Sequence, residues 1–301
     1  NISHGVSRIL YAMSRRNSII RGHNMYSSMI GSTLTVGFGG SVGLEAPIVL
    51  TGSAIGSNLS RYLKLDYKTT SLMLGCGAAG AIAGIFKAPL AALVFALEVL
   101  MLDLTMWSII PLMISAVTGA VVSFFLMGKE VIFAFSIVEP FVMKNIPFYI
   151  LLGIISGLVS LYVTRGVKRV EELASRLENP YQKLIYGGLI LGVLIFLFPP
   201  LFGEGYQSLK EIMTGNAYEL FQGSLFANFS QNYWVFIIYL SLIIVFKVLA
   251  MSVTTGSGGV GGIFAPALFI GGFVGYLVSS ILGRIGFENV SEKNFALVGM
   301  A

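Results

Sequence analysis

Gly43-Leu44-Glu45-Ala46-Pro47 puts one carboxylate inside a stretch that otherwise suits lipid. Residues 22–44 contain no Asp, Glu, Lys or Arg, and residues 46–60 contain none either. An ionisable group at membrane depth costs about 2.5–3.5 kcal/mol on insertion scales, which makes Glu45 a functional candidate by default. Gly43 lets the backbone bend, and Pro47 suits the first turn of a helix, where its missing N–H is not needed. The spacing therefore predicts Glu45 at a helix N-terminus. There the unsatisfied N–H groups and the positive dipole end favour an anion. That anion is either the carboxylate itself or an ion that competes with it.

The pattern recurs in Gly262-Ile263-Phe264-Ala265-Pro266. Gly43, Ala46, Pro47, Gly52 and Gly56 match Gly262, Ala265, Pro266, Gly271 and Gly275 at a constant offset, 262 − 43 = 219. Matched apolar segments interrupted by Gly and Pro, one in each half, mark membrane proteins built from repeats. Their broken helices aim N-termini at an anionic substrate. The competing reading is two ordinary packing helices rich in small residues. It leaves the acid between them unexplained.

Composition sets the class. Of 301 residues, 55% are hydrophobic and only 11% charged, against about 25% charged in soluble domains. Charge-free windows at 104–128, 145–164, 184–203, 220–246 and 248–283 each reach the roughly 20 residues of a spanning helix. The expected class is an all-α, polytopic membrane protein. The net charge of +5 comes from short basic clusters between apolar runs, as topology requires, and is not a nucleic-acid signal. The single Cys76 excludes an internal disulfide and a cysteine-based metal site. No cofactor is expected.

Taken in order, the chain predicts a short basic helix and loop over 1–21, then an apolar segment over 24–43. Helices are expected at 46–63 and 69–86, then from Pro89 to about Leu102, and at 106–127. Residues 129–144 read as a polar connection. A long helix from Pro147 runs into a charged, solvated end at Arg165 to Arg176, and a further span covers 181–198. After Pro199-Pro200 a partial helix begins at Gly203-Glu204-Gly205-Tyr206. Residues 232–251 are a full span, and the Gly-rich stretch 254–262 leads into the second broken helix, 264–283. No segment reads as a strand. The chain divides into a first repeat, 1–144, and a second, 145–301. Each reads as truncated at its outer end, so that the chain is a piece of a longer membrane domain.

These residues resemble the CLC family of chloride channels and chloride/proton antiporters. Gly43 to Pro47 is similar to the family's Gly-Lys/Arg-Glu-Gly-Pro, and Gly262 to Pro266 to its Gly-x-Phe-x-Pro. Ala78-Ala79-Gly80 through Glu98, with Phe86, Ala88-Pro89 and Phe95, resembles a third signature. Gly205-Tyr206 and Ala296 to Ala301 also fit. The resemblance implies an inverted-repeat protomer, homodimeric, with chloride as the transported ligand and an anion path in each subunit. It implies that Glu45 is the gating carboxylate. The backbone at Ala46, Ile263, Phe264 and Ala265 would hold the anion, and His4-Gly5 would stand where the family has the Ser-Gly of a central site. It further implies the bilayer as surroundings and the cell (inner) membrane of a prokaryote as location.

Three departures matter. His4 replaces a serine that donates a hydroxyl, although an imidazole also donates. Leu44 replaces a basic residue beside the gate, and Ala46 replaces a glycine. Val99 follows Glu98 where antiporters usually have a second Glu that accepts the internal proton. Val99 therefore favours passive or weakly proton-coupled conduction over antiport, with both left open.

Rival readings are weaker. Glu45 as a structural acid paired to a neighbouring cation leaves the repeat unexplained. Glu98 reads first as a helix-end acid. Gly256 to Gly261 matches Gly-x-Gly-x-x-Gly, but a spanning segment precedes it rather than a strand, so no dinucleotide site is expected. An intramembrane hydrolase would need a serine with a positioned base. The only histidines are His4 and His23, and no Gly-x-Ser-x-Gly occurs. Lys247 reads as snorkelling to an interface. Lys87 either snorkels or draws anions to a vestibule.

Overall fold

The computed structural model describes residues 5–101, 105–128, 142–227, 232–287 and 290–301. Twelve α-helices follow one another among them: α1 (Gly5–Arg15), α2 (Asn24–Gly37), α3 (Glu45–Tyr62), α4 (Tyr67–Phe86), α5 (Pro89–Val99), α6 (Met106–Met127), α7 (Ile146–Ser175), α8 (Pro180–Leu197), α9 (Tyr206–Thr214), α10 (Tyr233–Gly256), α11 (Phe264–Ile285) and α12 (Glu292–Met300). Among the described residues, six stretches are long and apolar enough to cross a membrane: α4, α6, α7 with its leading turn, α8, α10 and α11. In lipid such helices satisfy every backbone group internally. This is an integral, multi-pass membrane protein.

The chain folds as two compact units. One comprises residues 1–35, 44–134 and 260–262; the other comprises 36–43, 135–259 and 263–301. The first is held by close crossing of small residues. A Cβ at Gly52 would strike the Gly77 carbonyl, and one at Gly56 would strike the Met73 carbonyl, so α3 and α4 touch backbone to backbone. Across the other face of α4, a Cβ at Gly119 of α6 would meet the Gly80 carbonyl. Two serines of α6 add hydrogen bonds to that face: Ser115 Oγ donates to Cys76 O at 2.6 Å, and Ser123 Oγ to Gly84 O at 2.6 Å. Without a hydrophobic drive between helices in lipid, this close van der Waals contact and these bonds hold them together. Asp66 caps α4. The Thr69 hydroxyl and the Lys68 N–H donate to its carboxylate and hold it below the usual range.

In the second unit α10 and α11 are largely buried, whereas α7 and α8 turn most of their apolar side chains outward, as a lipid-facing layer does. Tyr162 of α7 donates to Val245 O at 3.1 Å, and a Cβ at Gly187 of α8 would strike the Ser257 side chain. Phe198, Phe221, Phe226 and Tyr239 stack into an aromatic cluster at the head of α10.

The internal repeat extends beyond the five matched positions. α2 ends at Gly37 and α10 at Gly256, again 256 − 37 = 219. Gly39 and Gly258 both take positive φ, +93° and +99°. The helix crossing recurs too. A Cβ at Gly271 would strike the Gly299 carbonyl and one at Gly275 the Phe295 carbonyl, as Gly52 and Gly56 meet Gly77 and Met73. So α2–α3–α4 and α10–α11–α12 share these features in the same order.

Candidate site at the helix starts

The two broken helices begin alike. Leu44 precedes α3 at φ −87°, ψ −11°, and Ile263 precedes α11 at φ −91°, ψ −2°, and neither of these two apolar residues caps its helix with its own side chain. Glu45 and Phe264 are the first helical residues, and Pro47 and Pro266 the third. The first helical hydrogen bonds run from Ile48 N–H to Leu44 O and from Ala267 N–H to Ile263 O. Proline in the first turn forfeits no helical hydrogen bond, and glycine before it relieves the approach. The positive dipole end at such a helix start suits an anion.

Glu45 is buried, with 6% of its surface exposed. The next residue, Ala46, is bracketed by two glycines. A Cβ at Gly262 would lie 2.8 Å from the Ala46 Cβ, and one at Gly5 would strike the Ala46 carbonyl. Residues 260–262 are fixed to α2: Val260 N–H donates to Thr35 Oγ1 at 3.0 Å, and Gly31 leaves room for the Val260 side chain. Three chain segments thus meet at Ala46: the start of α1, the start of α3 and the approach to α11.

The expected site residues divide as follows. Gly5, Glu45 and Ala46 come together in the first unit. Ile263, Phe264 and Ala265 open α11 in the second, with Ala265 buried and the other two side chains exposed. His4 lies outside the described residues. Glu98 is exposed near the end of α5, and Val99 is that helix's half-buried last residue.

Lys247 requires a correction. It does not snorkel. Its side chain is fully buried on α10, Nζ donates to Gly203 O at 3.0 Å, and it lies 4.8 Å from the Phe269 ring centre, within the field of Glu204. Inside the protein these groups take the place of headgroups. Lys87 adopts a left-handed conformation, φ 52°, and donates to Gly128 O at 2.8 Å beside Phe124.

A family model described as voltage gated chloride channel matches residues 1–301. The chain is 28% identical over 295 residues to the putative chloride channel protein ClcB-like of Ralstonia nicotianae, covering 96% of this chain and 63% of that one. It is 25% identical over 281 residues to an uncharacterized protein of Methanocaldococcus jannaschii, covering 93% and 66%. Among solved structures, a crystal structure of a CLC-type fluoride/proton antiporter superposes with a TM-score of 0.80 at 23% identity, over 98% of this chain and 69% of that one. The chain therefore has the all-helical CLC fold, and it spans under two thirds of the length of the chloride channel relative.

Proposed function

This chain belongs to the voltage gated chloride channel family, CLC, and from that premise we propose that it moves chloride across a membrane along a path gated by Glu45. One observation carries the reading. Glu45 is buried as the first residue of α3, and its neighbour Ala46 touches Gly262, from which the chain runs directly into Ile263 and Phe264 at the start of α11. N–H groups at both starts replace part of the ion's hydration, without a full buried cation, so chloride binds and also leaves. The backbone at Ala46, Ile263, Phe264 and Ala265 holds the ion beside Glu45, and His4 and Gly5 border it further in. Ionised Glu45 competes with chloride for those N–H groups. Protonated or swung aside, it opens the path.

Conduction is passive or weakly coupled to protons. Val99 provides no second acid, and the exposure of Glu98 suits a helix-end acid better than a proton carrier. The alternative is chloride/proton antiport; the structural relative is named as an antiporter of fluoride and protons. The protein works as a homodimer in the inner membrane of a prokaryote, with repeats divided near residues 144 and 145. The matching of α2–α4 with α10–α12 on either side supports that division.

The test is transport by the complete protein in liposomes. A chloride gradient is imposed, and chloride and proton movements are recorded together. Chloride efflux with little proton movement is the expected result. Uphill proton movement driven by chloride would replace passive conduction with antiport. No chloride movement, with the protein folded, would end the proposal.

A further inference from the structure

Away from the helix starts, a cavity of about 430 Å³ opens between α1, the connection to α2, and α3, and its lining includes Arg8, Tyr11, Arg16, Arg21, His23 and Leu50. Among the described residues, no acidic side chain lines it. Residues 1–44 carry four arginines and no Asp or Glu at all.

The loop between Arg16 and Arg21 is built, not loose. Asn17 and Ser18 hold φ 48° and 60°, a left-handed conformation that non-glycine residues reach only when the surroundings impose it. The surroundings here are α3 and α4. Ser57 Oγ donates to Ser18 O at 2.7 Å and accepts from Ile20 N–H at 3.0 Å. Asn58 Nδ2 donates to Ile20 O at 3.1 Å, and the Ser18 and Ser71 hydroxyls are 2.6 Å apart. Asn24 Nδ2 donates to Arg21 O at 3.2 Å, and the Arg16 guanidinium lies 5.4 Å from the Tyr11 ring centre. Arg16 and Arg21 therefore leave fixed backbone on the rim of one cavity, with Arg8 entering from α1.

We propose that this cavity binds phosphate groups. Guanidinium forks match the paired oxygens of phosphate bidentately, which a single-atom halide cannot exploit. The volume lies in the range of small-ligand sites and exceeds the need of one chloride. Preorganised donors lower the ordering cost of binding. A basic face of this kind belongs on the cytosolic side. The phosphate then comes either from an anionic headgroup of that leaflet or from a soluble phosphate compound. Binding there does not depend on how the path is gated.

Titration calorimetry with inorganic pyrophosphate tests this on the complete protein, in uncharged detergent and in nanodiscs. Pyrophosphate is expected to bind, and more weakly as salt rises. Arg16→Gln or Arg21→Gln should weaken binding about tenfold each, as loss of a charge-assisted pair implies. Arg16→Lys keeps the charge but loses the fork, so its affinity should fall between the parent's and that of Arg16→Gln, which separates lost charge from lost fold. Nanodiscs of phosphatidylcholine alone are then compared with nanodiscs that also contain phosphatidylglycerol. Equal binding in both identifies a soluble ligand, and loss of binding only with phosphatidylglycerol identifies the lipid headgroup. Absence of binding in detergent and in phosphatidylcholine, or unchanged binding in the Arg8→Gln/Arg16→Gln/Arg21→Gln variant, would overturn the site.

Discussion

Gly262 lies directly against Ala46, and a Cβ added to the glycine would approach the alanine's Cβ to 2.8 Å. The approach to the second broken helix therefore packs against the residue that follows Glu45. A methyl group at 262 has to displace something. Overpacking of this kind costs about 1–3 kcal/mol. Gly262→Ala is expected to lower both thermal stability and chloride flux, and Ala46→Gly in the same chain should restore much of each. A double-mutant cycle in which the two changes simply add would show that the contact is not the cause.

The helix crossings give a sharper contrast. Gly77→Ala would push a Cβ into the Gly52 carbonyl, and Gly299→Ala would do the same at Gly271. Neither backbone can yield without parting two helices. Gly153, inside α7, has open space around it. Alanine there gains about 0.5–1 kcal/mol of helix propensity. Melting of purified variants should rank Gly77→Ala and Gly299→Ala well below the parent and Gly153→Ala at or above it. Three indistinguishable melting curves would contradict close crossing.

How far these relationships were legible depends on the residue type. Pro47, Pro266 and the glycines before them restrict the backbone locally, so the start of α11 is legible to the residue and that of α3 to within one. Gly39 and Gly258 sit at the same offset of 219, yet in glycine-rich stretches a match says little until φ is known. α10 runs to Gly256, five residues past its expected end, because Ser252, Thr254 and Thr255 return their hydroxyls to the carbonyls of Val248, Ala250 and Met251. Composition groups Thr254 and Thr255 with the Gly-rich stretch that follows, although the helix satisfies their hydroxyls. Lys247 was misread for a different reason. Hydropathy cannot tell a cation that reaches headgroups from one turned inward, because the difference lies in which neighbours α10 meets. The arginine cavity was invisible because Ser57 and Asn58, which shape it, lie some distance along the chain.

Lys247 ties the 203–205 loop to α10. Its Nζ bonds Gly203 O, and Gly203 and Gly205 on either side of Glu204 take positive φ. Removing the donor of a buried hydrogen bond leaves its acceptor unsatisfied, which costs about 1–3 kcal/mol, and the side chain's packing goes with it. Lys247→Met is therefore expected to be strongly destabilising. Glu204→Gln should cost less in the Lys247→Met background than in the parent, with a coupling of about 1 kcal/mol or more. Equal costs in both backgrounds would leave the Gly203 hydrogen bond and the Phe269 contact as the whole role of the lysine.

Glu45 carries the last prediction. If Glu45 is the group that competes with chloride, its protonation sets the open fraction, and flux rises as pH falls. Glu45→Gln keeps the side chain's shape but cannot ionise, so the variant mimics the protonated state at every pH. Its chloride flux in liposomes should be at or above the parent's maximum and flat with pH, and any proton movement should vanish. The neutral amide also removes the cost of a buried charge, so stability should hold or improve. A Glu45→Gln protein that keeps the parent's pH dependence would move the switch to another residue. Glu98 would then be examined first, because the family resemblance puts it beside the position where antiporters carry their internal acid.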